Sequence, residues 1–528
     1  MTPDLPALGL PATLLAVAPI LVPALAAVVY ALLGWRPATV WVATLSAVAV
    51  LGSAIALASQ VLRDGPAFAV GGVLLLDPAS TYMVVVISAV AVLAALATPT
   101  YLHAEIAAGR ASTRTAARHS GLVQAFLAAM ALAVLAADLG VVWVAVEATT
   151  IVTAFLVGQR RTRTAVEAAW KYVVICSAGI SLALLGIVVL NFAAQHLNSP
   201  RLGGGPDAGS TAGLTWTGLE AAAAQLDPGV TRIAVVLLVV GFGTKAGLAP
   251  LHAWLPDAHS QAPAPVSALM SGVLLAVAFY AILRVKVISD IAMGPEFAAT
   301  LLVLVALASL LVAASLLIAQ RDYKRMLAYS SIEHMGLLAL GAAVGGPAAI
   351  AAVLLHVLGH GMVKSVLFLG AGRLLQITGT SHIDKVRGLA GSQPLLAGCL
   401  GVGVLALIGL PPFSIFASEL GIARAGLATG FNTGSPLLGW ATAAALVIVA
   451  VIAAALIGHT SRMLLGDDHK TLVPAREGPG AAFAPIVLPR SAAAALLLGL
   501  VATAALGVTT GPLSALLGAA AHTLTGAQ

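Results

Sequence analysis

The sequence predicts an all-α integral membrane protein of about 14 transmembrane helices, arranged around two inverted five-helix repeats with broken helices 7 and 12. Three observations predict it. Of 528 residues, 60% are hydrophobic and 9% charged, whereas soluble domains carry about 25% charged residues. Apolar runs of about 20 residues recur from end to end, each long enough as a helix to cross a hydrocarbon core about 30 Å thick. Two of those runs, five spans apart, are interrupted by prolines.

Spans near 11–33, 38–61 and 79–100 form an N-terminal segment, 1–119. Spans near 120–137, 139–157, 164–193, 231–251 and 262–288 form a first repeat, 120–288. Those near 299–320, 325–344, 348–375, 395–427 and 437–463 form a second, 299–463, and a last span near 490–514 closes the segment 464–528. The start, Met1 to Asp4, lacks the basic n-region of a cleavable signal, so the first span is expected to stay in the mature chain. The stretch 194–230, with Arg201 to Pro206, lacks a sustained hydrophobic period and reads as a surface linker without chemistry. The stretch 464–489, with Asp467 to Lys470 and Arg476-Glu477, reads as a solvated cytoplasmic loop able to meet a partner subunit.

With both termini on one side, 17 basic residues fall in loops of the opposite side and six on the termini's side; Lys171, Lys245 and Lys364 lie within spans. The positive-inside rule puts the 17 in the cytoplasm and both termini outside. The net charge of +6 is thus explained by topology and not by nucleic acid. Cys176 and Cys399 stand alone in apolar spans, so no disulfide framework, zinc site or iron–sulfur site is encoded, and no cofactor is expected in this chain.

Span 7 carries Pro250 and Pro256 after Lys245; span 12 carries Pro411-Pro412 before Glu419. Prolines there free backbone groups that only protein or water inside the membrane can satisfy. Five spans separate the two breaks, and an odd-numbered repeat inverts orientation, as in many transporters.

Ionisable residues inside spans cost about 2.5–3.5 kcal/mol each and mark pathways or pairs. The candidates are Glu147, Lys171, Lys245, Glu333, His334, His356, His360, Lys364 and Glu419, with His459 in span 13 as a further one. The repeat matches Glu147 with Glu333, Lys171 with the span 11 cluster, and Lys245 with Glu419. His356, His360 and Lys364 recur every four residues and share a helix face, as a proton relay requires. Ion pairs that merely hold helices together are the alternative for any one residue. For Lys171 that alternative is specific, because Glu167 lies four residues earlier. No HExxH pattern and no third ligand at a recognisable spacing accompany the histidines, so no metal is expected. Moving Glu147 toward or away from Lys245 would change how tightly the lysine holds a proton. Glu333 and His334 point about 100° apart on a helix. Glu333 is expected to face the central axis, between Lys245 and the His356–His360–Lys364 face, and His334 to pair with a neighbouring span.

Val142-Trp-Val-Ala-Val-Glu147, Trp170-Lys-Tyr172, the run Gly243 to Ala258 with Lys245 and three prolines-and-tryptophan landmarks (Pro250, Trp254, Pro256), Pro263 to Leu269, Lys324 to Ser330 and Gly409-Leu-Pro-Pro412 together resemble the antiporter-like family of complex I, multisubunit cation/proton antiporters and membrane-bound hydrogenases. The resemblance covers most of the chain. It implies that Glu147 and Lys245 are the central carboxylate–lysine pair, Lys364 the second-half lysine and Glu419 the terminal channel residue. Ser330-Ser-Ile-Glu-His-Met-Gly336 and Leu269-Met-Ser-Gly272 look like the hydrogenase-4 and formate-hydrogenlyase branch, with Ser271 where many complex I members place a histidine. It further implies a proton-translocating subunit in the cell inner membrane, whose membrane and soluble redox partners carry the electron chemistry; a complex I subunit and an antiporter subunit moving Na⁺ are the alternatives.

Overall fold

The computed structural model describes residues 9–195, 213–432, 435–466, 488–511 and 513–526. Met1 to Asp4, Arg201 to Pro206, Asp467 to Lys470 and Arg476-Glu477 lie outside them. In chain order the helices are α1 Leu10–Leu33, α2 Val42–Asp64, α3 Pro78–Ala107, α4 Thr113–Leu135, α5 Leu139–Val157, α6 Arg163–Gln195, α7 Trp216–Ala222, α8 Pro228–Ala246, α9 Trp254–Gln261 and α10 Ala264–Leu269. They continue as α11 Leu275–Met293, α12 Pro295–Ile318, α13 Tyr323–Val344, α14 Gly346–Thr378, α15 Leu389–Ser392, α16 Pro394–Leu407, α17 Ser414–Asn432, α18 Pro436–Leu465, α19 Arg490–Val508 and α20 Leu513–Thr523. A π-helical turn, Met270–Leu274, joins α10 to α11 into one span.

Thirteen helices among the described residues are long and apolar enough to cross a membrane. The fourteenth expected span is the interrupted pair α16 and α17, parted at 408–413. The other expected break lies at 247–253, between α8 and α9. Equivalent helices pack equivalently: α4 on α5 as α12 on α13, α5 on α6 as α13 on α14, and α6 on α8 as α14 on α17.

The fold is all-α as expected, with one short antiparallel hairpin, Ala67–Ala69 with Leu74–Leu76, among the described residues. Gly71 and Gly72, at φ 63° and 90°, supply a turn that L-residues resist. One expectation needs correction: the described end of the 194–230 stretch is not a surface linker, since Trp216, Leu219, Ala223 and Leu226 are buried, and Trp216 Nε1 donates to Ala136 O at 3.1 Å. Their helical spacing spans too few residues to stand out in a long window.

Both breaks satisfy the backbone groups they free. At the first, α8 ends on left-handed Gly247, Trp254 Nε1 donates to Thr244 O at 2.9 Å, and Ala249 N donates to Ser309 Oγ at 2.9 Å. At the second, Leu410 N donates to Leu405 O and Phe413 N to Leu410 O, both at 3.2 Å. Irregular backbone at membrane depth needs such internal bonds, the more so at the second break, where Leu410, Pro411 and Pro412 are exposed.

The span Ala264–Met293 and helices α13 and α14 are buried along their whole apolar windows, whereas α1, α18 and α19 are mostly exposed. The most apolar spans are not the buried ones: α13 has the lowest mean hydropathy of the thirteen and lies wholly inside, whereas α12 has the highest and is mostly unburied, since lipid accepts apolar surface. Glycine lets backbones meet there: a Cβ on Gly361 would lie 2.8 Å from Gly272 O, the small-residue crossing typical of membrane helices.

Candidate functional site

In the first half, α6 and α8 lie close because glycine faces the neighbouring helix; a Cβ on Gly241 would be 2.5 Å from Ala183 N. That approach brings Lys245, the penultimate residue of α8, against α5 and α6. Lys245 is fully buried. Its Nζ donates to Thr150 Oγ1 at 2.8 Å and to Tyr172 OH at 2.5 Å. Glu147 lies half-buried one turn before Thr150 on α5, its Oε1 accepting from Ser177 Oγ at 3.1 Å. Its Oε2 is buried without a hydrogen-bond partner. The expected Glu147–Lys245 ion pair is therefore not closed: none of the ion pairs among the described residues joins them. Neutral hydroxyls hold the lysine instead.

In the second half, buried groups from three helices converge. Lys364 on α14 donates to Ser330 Oγ at 2.5 Å and to Leu327 O at 2.8 Å, both on α13. His334 Nδ1 lies 3.0 Å from His356 Nε2, and His356 Nδ1 lies 3.0 Å from Ser418 Oγ on α17. The His360 ring centroid is 5.0 Å from that of His334 and 6.4 Å from that of His356. The helical face read from 356, 360 and 364 is real, and His334 completes it. His334 meets His356 on the neighbouring helix α14, while Glu333 is buried within electrostatic reach of Lys364 and Glu419. Glu333, though buried, keeps Oε2 without a partner among the described residues.

Glu419 follows the second break on α17 and lies against it; a Cβ on Gly409 would sit 2.1 Å from its Oε2. Lys245 precedes its break and Glu419 follows its own, so the two are not at equivalent positions as the repeat predicted. Donor atoms of His334, His356 and Glu419 lie within 4.8 Å of one another. The third donor that the spacing lacked thus comes from a residue 63 positions beyond His356 in the sequence.

Lys171 does not join this interior. Its side chain is 47% exposed and bonds Glu167 Oε1 at 2.8 Å and Asp257 Oδ2 at 3.1 Å. The i,i+4 surface pair is the correct reading, because α6 turns this face outward. His459 also stands apart, bonding Leu317 O at 3.0 Å.

Four further buried polar groups were not among the expected pathway residues. Lys324, counted with the cytoplasmic loops, is 1% exposed, and its Nζ donates to Ser260 O at 2.7 Å and Ala262 O at 3.0 Å. His259 is fully buried, stacked on Phe368 with centroids 5.0 Å apart. Ser271, on the π turn, meets Ser331 Oγ at 2.8 Å; π turns cluster at functional sites. Arg284, taken for an external loop residue, is buried with Asp77 in an ion pair and donates from Nε to Tyr280 OH at 2.9 Å.

A family profile described as NADH:quinone oxidoreductase/Mrp antiporter, TM, matches residues 136–446. A hydrogenase-4 component F homolog of Methylacidiphilum infernorum is 38% identical over 377 residues, 71% of this chain and 76% of the relative. The NADH-quinone oxidoreductase subunit N of Desulforudis audaxviator is 38% identical over 270 residues, half of each chain. Among solved structures, a chain of the archaeal membrane-bound sulfane sulfur reductase superposes with a TM-score of 0.79 at 24% identity, covering 97% of both chains. At that identity the superposition speaks to the fold.

Proposed function

The chain belongs to the NADH:quinone oxidoreductase/Mrp antiporter transmembrane family, and from that premise we propose that this multi-pass, antiporter-like subunit moves protons across the cell membrane within a hydrogenase-type redox complex. The observation that carries the reading is the polar series Lys245, Lys324, Lys364, His334 and His356, each buried and held by hydroxyls, carbonyls or imidazoles, with a Glu419 oxygen within 4.8 Å of the last two. Single salt bridges would lock charge in place. Neutral partners leave each group free to take and give a proton.

The His334–His356 contact requires one ring nitrogen to carry hydrogen and the other to lack it. A proton entering one imidazole at one nitrogen can leave from the other, reversing the tautomers as it passes. Ser418 Oγ can hand on hydrogen from His356 Nδ1 to the α17 end, where Glu419 waits. At the other end, Tyr172 OH and Thr150 Oγ1 bridge Lys245 toward α5, so a movement of Glu147 on that helix would alter the lysine's proton affinity.

Other membrane subunits are the partners, and the soluble subunits of the complex hold the redox groups; this chain holds none and performs no redox step. It lies in the cytoplasmic membrane with both termini outside. Protons suit the site better than Na⁺, because two of its three converging donors are imidazole nitrogens, whereas hard cations take oxygen ligands.

The test is purification of the intact complex through a tag on this chain, identification of its soluble subunits, and measurement of proton uptake in vesicles during turnover. A nickel–iron subunit and uptake independent of Na⁺ support the proposal. An NADH module would replace it with complex I, and no redox subunit together with Na⁺-dependent uptake would replace it with a cation antiporter.

A further inference from the structure

Five arginines surround one open groove at the end of the bundle where α1 stops, α4 starts and the turn 158–162 links α5 to α6. The groove has a volume of about 810 Å³ and is lined by Arg110, Arg114, Arg118, Arg160 and Arg161 together with Tyr30 and others. One carboxylate, Glu105, serves them, bonding Arg110 at 2.9 Å and lying 3.7 Å from Arg160. Hydrogen bonding to Glu105 also holds the Arg110 guanidinium above its ordinary pKa, so it stays charged. Arg114, Arg118 and Arg161 are exposed and take no part in the ion pairs found among the described residues. Five cations against one anion leave a net charge of +4, and three of the arginines take part in no ion pair among the described residues.

The positions of these charges are built. Arg114 and Arg118 are four residues apart and share a face of α4. Arg161 is held at φ 53°, a backbone conformation that non-glycine residues rarely adopt. The lining also includes the small and apolar residues Ala27 and Ala31 of α1 and Gly121 and Leu122 of α4. Directly alongside, α1 turns Leu25, Val28 and Leu32 outward, at 62%, 51% and 77% exposure. The groove therefore opens onto the lipid-facing side of a membrane helix, at the level where its apolar run ends.

We propose that this groove binds the headgroup of an anionic phospholipid, its phosphate oxygens on Arg114, Arg118 and Arg161 and an acyl chain against α1. Arginine presents a planar fork of donors that matches phosphate oxygens in pairs. An acidic segment of a partner subunit would satisfy the charges equally well, but it would leave the adjoining apolar face of α1 without a purpose.

The experiment uses the full chain in nanodiscs of phosphatidylcholine with phosphatidylglycerol, released into detergent and weighed by native mass spectrometry. At least one phosphatidylglycerol should remain bound, and phosphatidylcholine should not replace it. An arginine near a membrane surface contributes about fivefold to binding of an anionic lipid. Triple replacement by glutamine at Arg114, Arg118 and Arg161 should thus weaken retention by about a hundredfold, and triple replacement by lysine should keep most of it. Removing the same charge elsewhere, by Arg321→Gln, Lys385→Gln and Arg462→Gln together, should change nothing. Equal loss in that control overturns the proposal in favour of general attraction, and displacement by millimolar inorganic phosphate overturns it in favour of a plain anion site. If the wild-type chain keeps no lipid, or the glutamine variant keeps as much as the wild type, the acidic-segment reading replaces it.

Discussion

Lys245→Met removes the charge at the centre of the first half and keeps a side chain of similar length. The replacement loses two hydrogen bonds from a cation, to Thr150 Oγ1 and Tyr172 OH, at about 1.5–3 kcal/mol each. It also removes the cost of holding a lysine within the membrane, about 2.5–3.5 kcal/mol on insertion scales. The two effects nearly offset, leaving a net destabilisation of about 0–3 kcal/mol by the same figures. No buried counter-charge is stranded, since Glu147 is not ion-paired with Lys245 and keeps its bond from Ser177. The complex should therefore assemble at close to the normal yield while proton transfer through this subunit stops. The assay is the proton-to-electron ratio in sealed vesicles, normalised to assembled complex. An unchanged ratio in fully assembled Lys245→Met complex refutes the reasoning. So does a collapse of yield, which would assign Lys245 a structural role.

Glu333→Gln keeps shape and hydrogen-bonding capacity but removes a titratable proton, so it should lower the proton-to-electron ratio with little loss of yield; lower yield at an unchanged ratio would mark Glu333 as structural. Lys171→Gln should leave both quantities at their normal values, because water screens an exposed pair and leaves it little weight; a loss of proton transfer would return Lys171 to the pathway. Arg284→Met should cost about 3–5 kcal/mol, since it strands Asp77 inside the fold; a thermal midpoint no lower than that of Lys171→Gln would show the pair to be dispensable. With Cys176 and Cys399 replaced, Ala111→Cys and Gly213→Cys should react with an impermeant thiol reagent from opposite faces of the membrane, and labelling from one face alone would contradict the 14-crossing topology.

Lys171 and Lys324 show what the sequence could and could not convey. Hydropathy reports how deep a residue lies along the membrane normal, and by that measure Lys171, inside a span, looked buried, while Lys324, at a span's edge, looked like a loop cation. The structure reverses them, at 47% and 1% exposure. What separates the two is lateral position, whether a helix has neighbours on every side, and only packing fixes that. Helix α13 lies inside the bundle along its apolar window, and in its first turn the face of Lys324 is enclosed while that of Arg325 is not, so Lys324 finds carbonyls at the end of α9 and the turn to α10. Helix α6 turns one face outward, so Lys171 finds the carboxylates of Glu167 and Asp257 at the surface.

The same distinction explains the rest of the site. Residues that share one helix were readable from spacing, as with His356, His360 and Lys364. Contacts between helices were not: His334 meets His356 across α13 and α14, and Ser418 closes the far side from α17. The glycines that permit such contacts, Gly272 against Gly361 and Gly241 against Ala183, are ordinary apolar-run residues until the helices are brought together. Both breaks were legible because proline disturbs its own helix. Which charge stands before a break and which after it was legible too, yet repeat matching alone paired Lys245 with Glu419 across that difference. The proposed proton path is thus asymmetric about its centre: it begins at a lysine held by hydroxyls and ends at a carboxylate near two imidazoles, so exchanging the two residue types should not preserve transport.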